Sequence, residues 1–329
     1  MKNAIVFAFF AAAMGSSAVA QDCAEGQRLF VHDHGQTCIP ETPERIVSLR
    51  GEQFTAPLWE LGANLVGSSG RVDGSKNDGL PYPRGAYDIF GLTFSDSDLT
   101  WVGDPNNPDL EAIAGADPDL ILIPDWQTDI YDQLSIIAPT VVIGIWSNPL
   151  LQRFEKIADA GGVLEEYEDR LSQFNTQLAD GRRVVEDMIG DSSEVSVAVA
   201  EAFDGKLWVY KDYAALSHVI DELGFVTPPV IAQLKDGNAE LSPEILPQID
   251  SDFMVGTYNI AFDQPPSTRL AEWDDLVPGW DEILHAPRHN QHLLLDRETM
   301  RGVSFRALEN TLAIVLANIA TRDFVPLNN

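Results

Sequence analysis

Leu164-Glu-Glu-Tyr-Glu-Asp-Arg-Leu-Ser-Gln-Phe-Asn-Thr-Gln-Leu-Ala-Asp-Gly-Arg-Arg-Val-Val-Glu-Asp-Met-Ile189 is the stretch that decides the fold. Its apolar residues fall at Leu164, Tyr167, Leu171, Phe174, Leu178, Val185 and Met188. The early spacings of 3, 4, 3 and 4 form a helical stripe. At ~1.5 Å per residue the segment predicts a helix about 39 Å long. That is too long for a single crossover and suits a rigid joint between two lobes.

Alternating segments lie on both sides of it. Before it, strands are expected at 45–49, 65–68, 120–123 and 141–145, with helices at 53–61, 108–114 and 130–137. After it, strands are expected at 194–200, 207–210, 253–257 and 292–296, with helices at 214–223, 243–249 and 304–320. Strands alternating with helices imply mainly parallel sheets flanked by helices. The predicted class is therefore α/β, two lobes joined by one long backbone helix. Residues 28–38 read as a hairpin turning at His34-Gly35. Residues 71–107, rich in Gly, Pro, Asp and Ser, break the pattern and read as a long ligand-side loop.

The chain's beginning reads as an export signal. Lys2 precedes an apolar run at 4–14, and Ala18-Val19-Ala20 offers a cleavage site. The run is shorter than the roughly 20 residues that cross a bilayer. The expected organisation is a signal peptide at 1–20, an N-terminal lobe at 21–162, a connecting helix at 163–190, and a C-terminal lobe at 191–329. The last helix is expected to pack back toward the first lobe. In an exported chain the two cysteines, Cys23 and Cys38, read as one disulfide.

The formal net charge is −30, with 51 acidic residues against 21 basic ones. No positive field exists to meet phosphates, which excludes nucleic acid as a natural partner. Of the basic residues 15 are Arg and 6 are Lys, a bias that suits planar recognition of anions.

The two halves repeat one unit. Asp109-Leu110-Glu111 opens a helix and Asp117-Pro118-Asp119 introduces a strand. Ser242-Pro243-Glu244 and Asp250-Ser251-Asp252 do the same later, at the same eight-residue spacing from Glu to Asp. Asp109 and Ser242 are candidate N-caps, and a Glu near a helix N-terminus is also simply favoured by the helix dipole.

These motifs carry a family resemblance. Pro43-Glu-Arg-Ile-Val-Ser-Leu49, Glu60-Leu61-Gly62, Leu110-Glu-Ala-Ile113 and Pro118-Asp-Leu-Ile-Leu122 resemble the helical-backbone class of ABC-importer substrate-binding proteins. Leu241-Ser-Pro-Glu244, Asp252 and the run from Arg301-Gly302 to Leu312 continue the likeness, which covers the chain from about residue 28. That class takes up iron–siderophore complexes, haem and cobalamin. The resemblance implies a ligand cleft between the lobes, and docking of Glu111 and Glu244 on arginines of a permease dimer served by an ATPase. The length of loop 71–107 departs from the common pattern.

Open α/β sheets bind ligands beyond the carboxyl ends of their strands. The residues found there are Arg50, Arg71, Trp126, Trp146, Tyr210, Tyr258 and Arg301. Guanidinium groups match the oxygens of an anionic ferric chelate, and aromatic faces match its rim. The expected function is a monomeric periplasmic receptor, not membrane-inserted, that binds a ferric siderophore and needs no cofactor. A haem or cobalamin receptor of the same class is the alternative. A bare Zn or Mn receptor finds little support. His285, His289 and His292 cluster but are interrupted by Pro287, and His32 and His34 lack Cys or carboxylate partners at tetrahedral spacing. A periplasmic hydrolase is the alternative from another class, but an enzyme is not expected, since no G-x-S-x-G, P-loop, G-x-G-x-x-G or H-E-x-x-H motif occurs.

Overall fold

In a computed structural model of the chain, residues 23–146 and 148–327 are described, so the signal-peptide segment at 1–20 lies outside the described residues. The first sheet has five strands in the order Thr100–Trp101, Leu65–Ser68, Ile46–Ser48, Leu120–Pro124, Thr140–Ile143, and every ladder is parallel. Its central strands are buried on both faces: Ile46, Val47 and Leu120 to Ile123 are fully buried. This is why they read as unbroken apolar runs.

The second sheet is ordered Asn238–Leu241, Lys206–Tyr210, Val197–Phe203, Phe253–Tyr258, His292–Asp296. Its last three strands are parallel, while the first two are added antiparallel. The cause is local. Asp204 and Gly205, at φ 53° and 70°, form a two-residue turn between Phe203 and Lys206, the geometry that returns a strand antiparallel to its neighbour.

The helix Leu164–Met188 stands between the sheets. Tyr167, Phe174, Leu178 and Val185 face inward along the expected stripe and share one core with Ile46 and Leu120 of the first sheet and Leu216, Phe253 and Leu308 of the second half. The last helix, Phe305–Val315, continues into a wider turn at Leu316–Ala320. Phe305 packs against Phe154 and Tyr167, at centroid distances of 4.8 and 5.5 Å. Glu60, from the first half, accepts the Phe305 and Arg306 N–H groups at 2.6 and 2.7 Å. A carboxylate from one half thereby caps a helix of the other. The hairpin Gln27–His32 with Gly35–Pro40 is closed by the Cys23–Cys38 disulfide, and Asp33 N–H donates to Val142 O at 3.0 Å, tying the hairpin to the sheet edge.

Several expectations shift. The helix expected at 53–61 begins earlier, as a π turn at Gly51–Thr55 leading into Ala56–Glu60. Loop 71–107 contains a helix, Ala86–Phe90, and the edge strand Thr100–Trp101. Helices Leu150–Ala160 and Pro266–Leu276 were not anticipated.

Candidate functional site

A cavity of about 420 Å³ opens between the lobes. Its first wall is built on Gly51–Thr55. Thr55 Oγ1 bonds Ser48 Oγ at 2.8 Å and Ser68 Oγ at 2.6 Å, pinning the turn across two strand ends. Backbone segments 51–52 and 84–85 then lie flush. A Cβ on Gly51 would meet Arg84 O at 2.5 Å, and one on Gly85, whose φ is 78°, would meet Glu52 Cα at 2.5 Å. Only glycine allows this approach, and it places Glu52 between Arg50 and Arg84.

Five guanidinium groups reach the cavity, from Arg50, Arg71, Arg84, Arg297 and Arg301. Two carboxylates, Glu52 and Glu298, join them, leaving a surplus of three positive charges in a chain of net charge −30. The five arginines are held differently. Arg50 pairs with Glu52 at 2.5 Å, donates to Gln53 Oε1 at 2.8 Å and lies over Trp126 at 5.1 Å. Arg84 Nε and Nη2 grip Glu298 at 2.7–3.1 Å, a forked bond across the cleft. Arg71 and Arg84 lie 5.8 and 4.6 Å from the Phe262 ring. Arg301 sits 5.0 Å from the Trp146 ring and 5.3 Å from that of Tyr213. Among the described residues Arg297 and Arg301 have no carboxylate within 4.0 Å. Arg71 Nε and Arg297 Nε are buried without a hydrogen-bond partner there.

The electrostatics follow from this crowding. Burial by itself would raise the Glu52 carboxyl, but Arg50 and Arg84 override it and hold it at about 2. Arg50 is lowered, by burial first and then by the neighbouring guanidinium groups of Arg84, Arg71 and Arg301 against the pull of Glu52. Burial would also lower Arg84, yet Glu52 and Glu298 raise it. The basin thus keeps the Glu52 carboxylate and the Arg84 guanidinium charged at neutral pH. It can receive a compact anion through charge-assisted hydrogen bonds.

Arg50, Arg71, Trp126, Trp146 and Arg301 line this one cavity, as a set. Tyr210 and Tyr258 do not. The Tyr210 hydroxyl donates to buried Glu201 at 3.1 Å and its ring meets Tyr213 edge-on, so it lies behind the wall. Tyr258 ends its strand paired with Asp296. Sequence reasoning missed Arg84, Arg297, Phe203, Phe262 and the two glutamates. Glu111 and Glu244 are exposed and distant in sequence from every lining residue. Asp109 caps its helix through the Glu111 and Ala112 N–H groups, both at 3.0 Å, whereas Ser242 makes no side-chain cap. No group of three His, Cys, Asp or Glu suited to a metal ion occurs among the described residues, and none of their helices is long and apolar enough to cross a membrane.

Known proteins agree with this architecture. The probable siderophore-binding lipoprotein YfiY of Bacillus subtilis is 30% identical over 227 residues, 66% of this chain and 64% of that protein. The chain therefore spans just under two thirds of that relative's length. The Fe(3+)-citrate-binding protein YfmC, also of Bacillus subtilis, is 27% identical over 83% of this chain and 81% of its own. Among solved structures, Staphylococcus aureus SirA complexed with staphyloferrin B superposes with a TM-score of 0.72 at 21% identity, over 89% of this chain and 98% of that one, a likeness of fold. A family model described as periplasmic binding protein matches residues 74–272, more than half of the sequence. With the two α/β lobes, the backbone helix and the cleft between them, the chain belongs to the periplasmic binding protein family.

Proposed function

We propose that this protein is a periplasmic receptor that binds an anionic ferric chelate, a ferric siderophore, in the arginine basin and delivers it to an ABC permease. The observation that carries the reading is the surplus of three positive charges, with buried unpartnered donors on Arg71 and Arg297, inside a strongly acidic chain. Trp126 and Trp146, each 43% exposed, offer flat faces at the rim. The names of the relatives, a siderophore binder and a ferric citrate binder, fit this ligand class. The protein works as a monomer, without a cofactor, after export by a cleaved signal peptide. Its lobes at 21–162 and 191–329 are held by the connecting helix at 163–190, and Glu111 and Glu244 mark one permease contact on each lobe.

The test is mass spectrometry of ligand carried through purification, with tryptophan-quench titrations against a panel of ferric chelates of graded charge. Tight binding confined to anionic chelates supports the reading. Equal affinity for neutral and anionic chelates overturns it.

A further inference from the structure

Two of the arginines commit their donors to the protein itself. Arg50 is engaged by Glu52 and Gln53, and Arg84 by Glu298. Among the described residues Arg301 is anchored without any such bond, through the ring faces of Trp146 and Tyr213. What fixes Tyr213 is therefore what fixes Arg301 from the C-terminal side.

That support is Glu201, a carboxylate 3% exposed. One of its oxygens accepts the Thr257 N–H at 3.1 Å and closes a triangle with two hydroxyls, that of Tyr213 at 3.0 Å and that of Thr257, which themselves meet at 2.6 Å. The other accepts the Tyr210 hydroxyl at 3.1 Å. Tyr210 then braces Tyr213 edge-on, at 4.6 Å and 84°. A phenol donating to a carboxylate is richer in π density, and a richer face holds a guanidinium more firmly.

We propose that Glu201 is a positioning residue for the binding cleft: through Tyr213 it holds the Arg301 guanidinium in place while leaving every Arg301 N–H free for the ligand. A direct ion pair would fix the arginine but occupy those donors. Ring faces fix it from the sides. The inference rests on the proposed ligand class, and it predicts a sign that simple electrostatics does not. Removing a buried negative charge beneath a cationic basin should tighten binding of an anion. Loss of positioning should weaken it.

The experiment is a double-mutant cycle with Glu201→Gln and Arg301→Ala, titrated with a ferric tricatecholate and with a neutral ferric trihydroxamate. Glu201→Gln keeps the shape and most hydrogen bonds. It should weaken tricatecholate binding about tenfold, the scale of one dehydrated cation–π contact. In the Arg301→Ala background it should weaken binding no further. Tyr213→Phe should reproduce it. In the ligand-free protein, the Arg301 Nε–H NMR signal should shift and broaden in Glu201→Gln. If Arg301→Ala itself leaves tricatecholate binding unchanged, the anionic-ligand reading fails, and the NMR signal alone decides the role of Glu201. If Arg301→Ala weakens binding while Glu201→Gln tightens it, adds independently, or leaves the Arg301 signal unmoved, Glu201 is not a positioning residue.

Discussion

Asp119 and Asp252 occupy the same point in the two lobes and bind the same kind of partner. Asp119 accepts the Glu44 and Arg45 N–H groups at 2.7 and 3.0 Å, where the chain enters strand Ile46–Ser48. Asp252 accepts the Ser196 N–H at 2.7 Å, where the chain enters strand Val197–Phe203. Each aspartate opens the strand that pairs in parallel with the one it tethers. The repeat seen in the sequence is thus a repeated staple across the first parallel ladder of each lobe. Asp252 adds the Leu327 N–H at 2.6 Å, holding the chain's end. It is 4% exposed. Asp252→Ala should lower unfolding free energy by about 2–4 kcal/mol, since it strands buried donors. The more accessible Asp119→Ala should lose about half as much. Chemical denaturation of both variants checks the order.

The arginines of the basin should separate into two kinds. Arg84→Ala leaves Glu298, 5% exposed, as a buried carboxylate whose remaining hydrogen-bond partner among the described residues is Asn259. Breaking such a pair costs about 3–5 kcal/mol of stability. Arg301→Ala breaks no ion pair among the described residues and should cost far less stability, while weakening an anionic chelate roughly ten- to a hundredfold. Thermal unfolding beside quench titrations of the two variants tests the split. A destabilised Arg301→Ala with unaltered affinity would contradict it.

What the sequence disclosed follows the length scale of each signal. The backbone helix and the buried parallel strands announce themselves over many residues, because burial imposes a period of 3.6 or an unbroken apolar run. Helix Pro266–Leu276 does not, since its buried residues are Arg269 and Trp273, an arginine where an apolar stripe was sought. Arg153 interrupts the stripe of Leu150–Ala160 in the same way. The strand-end rule reached Arg301 and both cleft tryptophans but passed over Arg297, which directly follows strand His292–Asp296, and carried a few residues further it reaches Phe203 and Phe262. Arg84 had no such signal. It arrives from loop 71–107, placed by the flush packing of Gly51 and Gly85, a contact between chain segments that no local pattern encodes.

Acid should act through Glu52. Its folded pKa is depressed to about 2, from an ordinary value near 4.5. A depressed carboxyl contributes stability that is present above its unfolded pKa and is lost as pH falls through the folded one. The contribution is on the order of 3 kcal/mol at neutral pH. Wild type should exceed Glu52→Gln in stability at pH 7, and the gap should narrow below about pH 4.5 and close near pH 2. Urea titrations of both proteins across that range measure it, and a gap constant with pH would remove Glu52 from the account.

Closure on binding should be slight. The core runs without interruption from Ile46 through Phe174 to Leu308. Glu60 further ties the last helix to the first half, and Arg170 bridges Glu60 and Glu309 at 3.5 and 3.1 Å. Hinge motion would have to shear that packing. Small-angle scattering with and without ligand should show nearly the same radius of gyration, and a large drop would count against the prediction.

Delivery should depend on Glu111 and Glu244. The Glu111 N–H is taken by Asp109, but neither glutamate side chain makes a hydrogen bond or ion pair among the described residues. A role confined to the helix dipole would be worth at most about 1 kcal/mol and would leave transport intact. A docking role predicts otherwise. Replacing a carboxylate by a guanidinium sets like charges face to face with the permease's arginines, and such juxtaposition disfavours the complex. The double variant Glu111→Arg/Glu244→Arg should bind ferric chelate with wild-type affinity and abolish uptake in cells lacking their own receptor. Each single variant should reduce uptake if the proposed contact uses one glutamate on each lobe. Charge reversal at exposed Glu186 and Asp187, on the backbone helix, controls for a general loss of acidity. Full uptake by the double variant would take both glutamates off the docking surface.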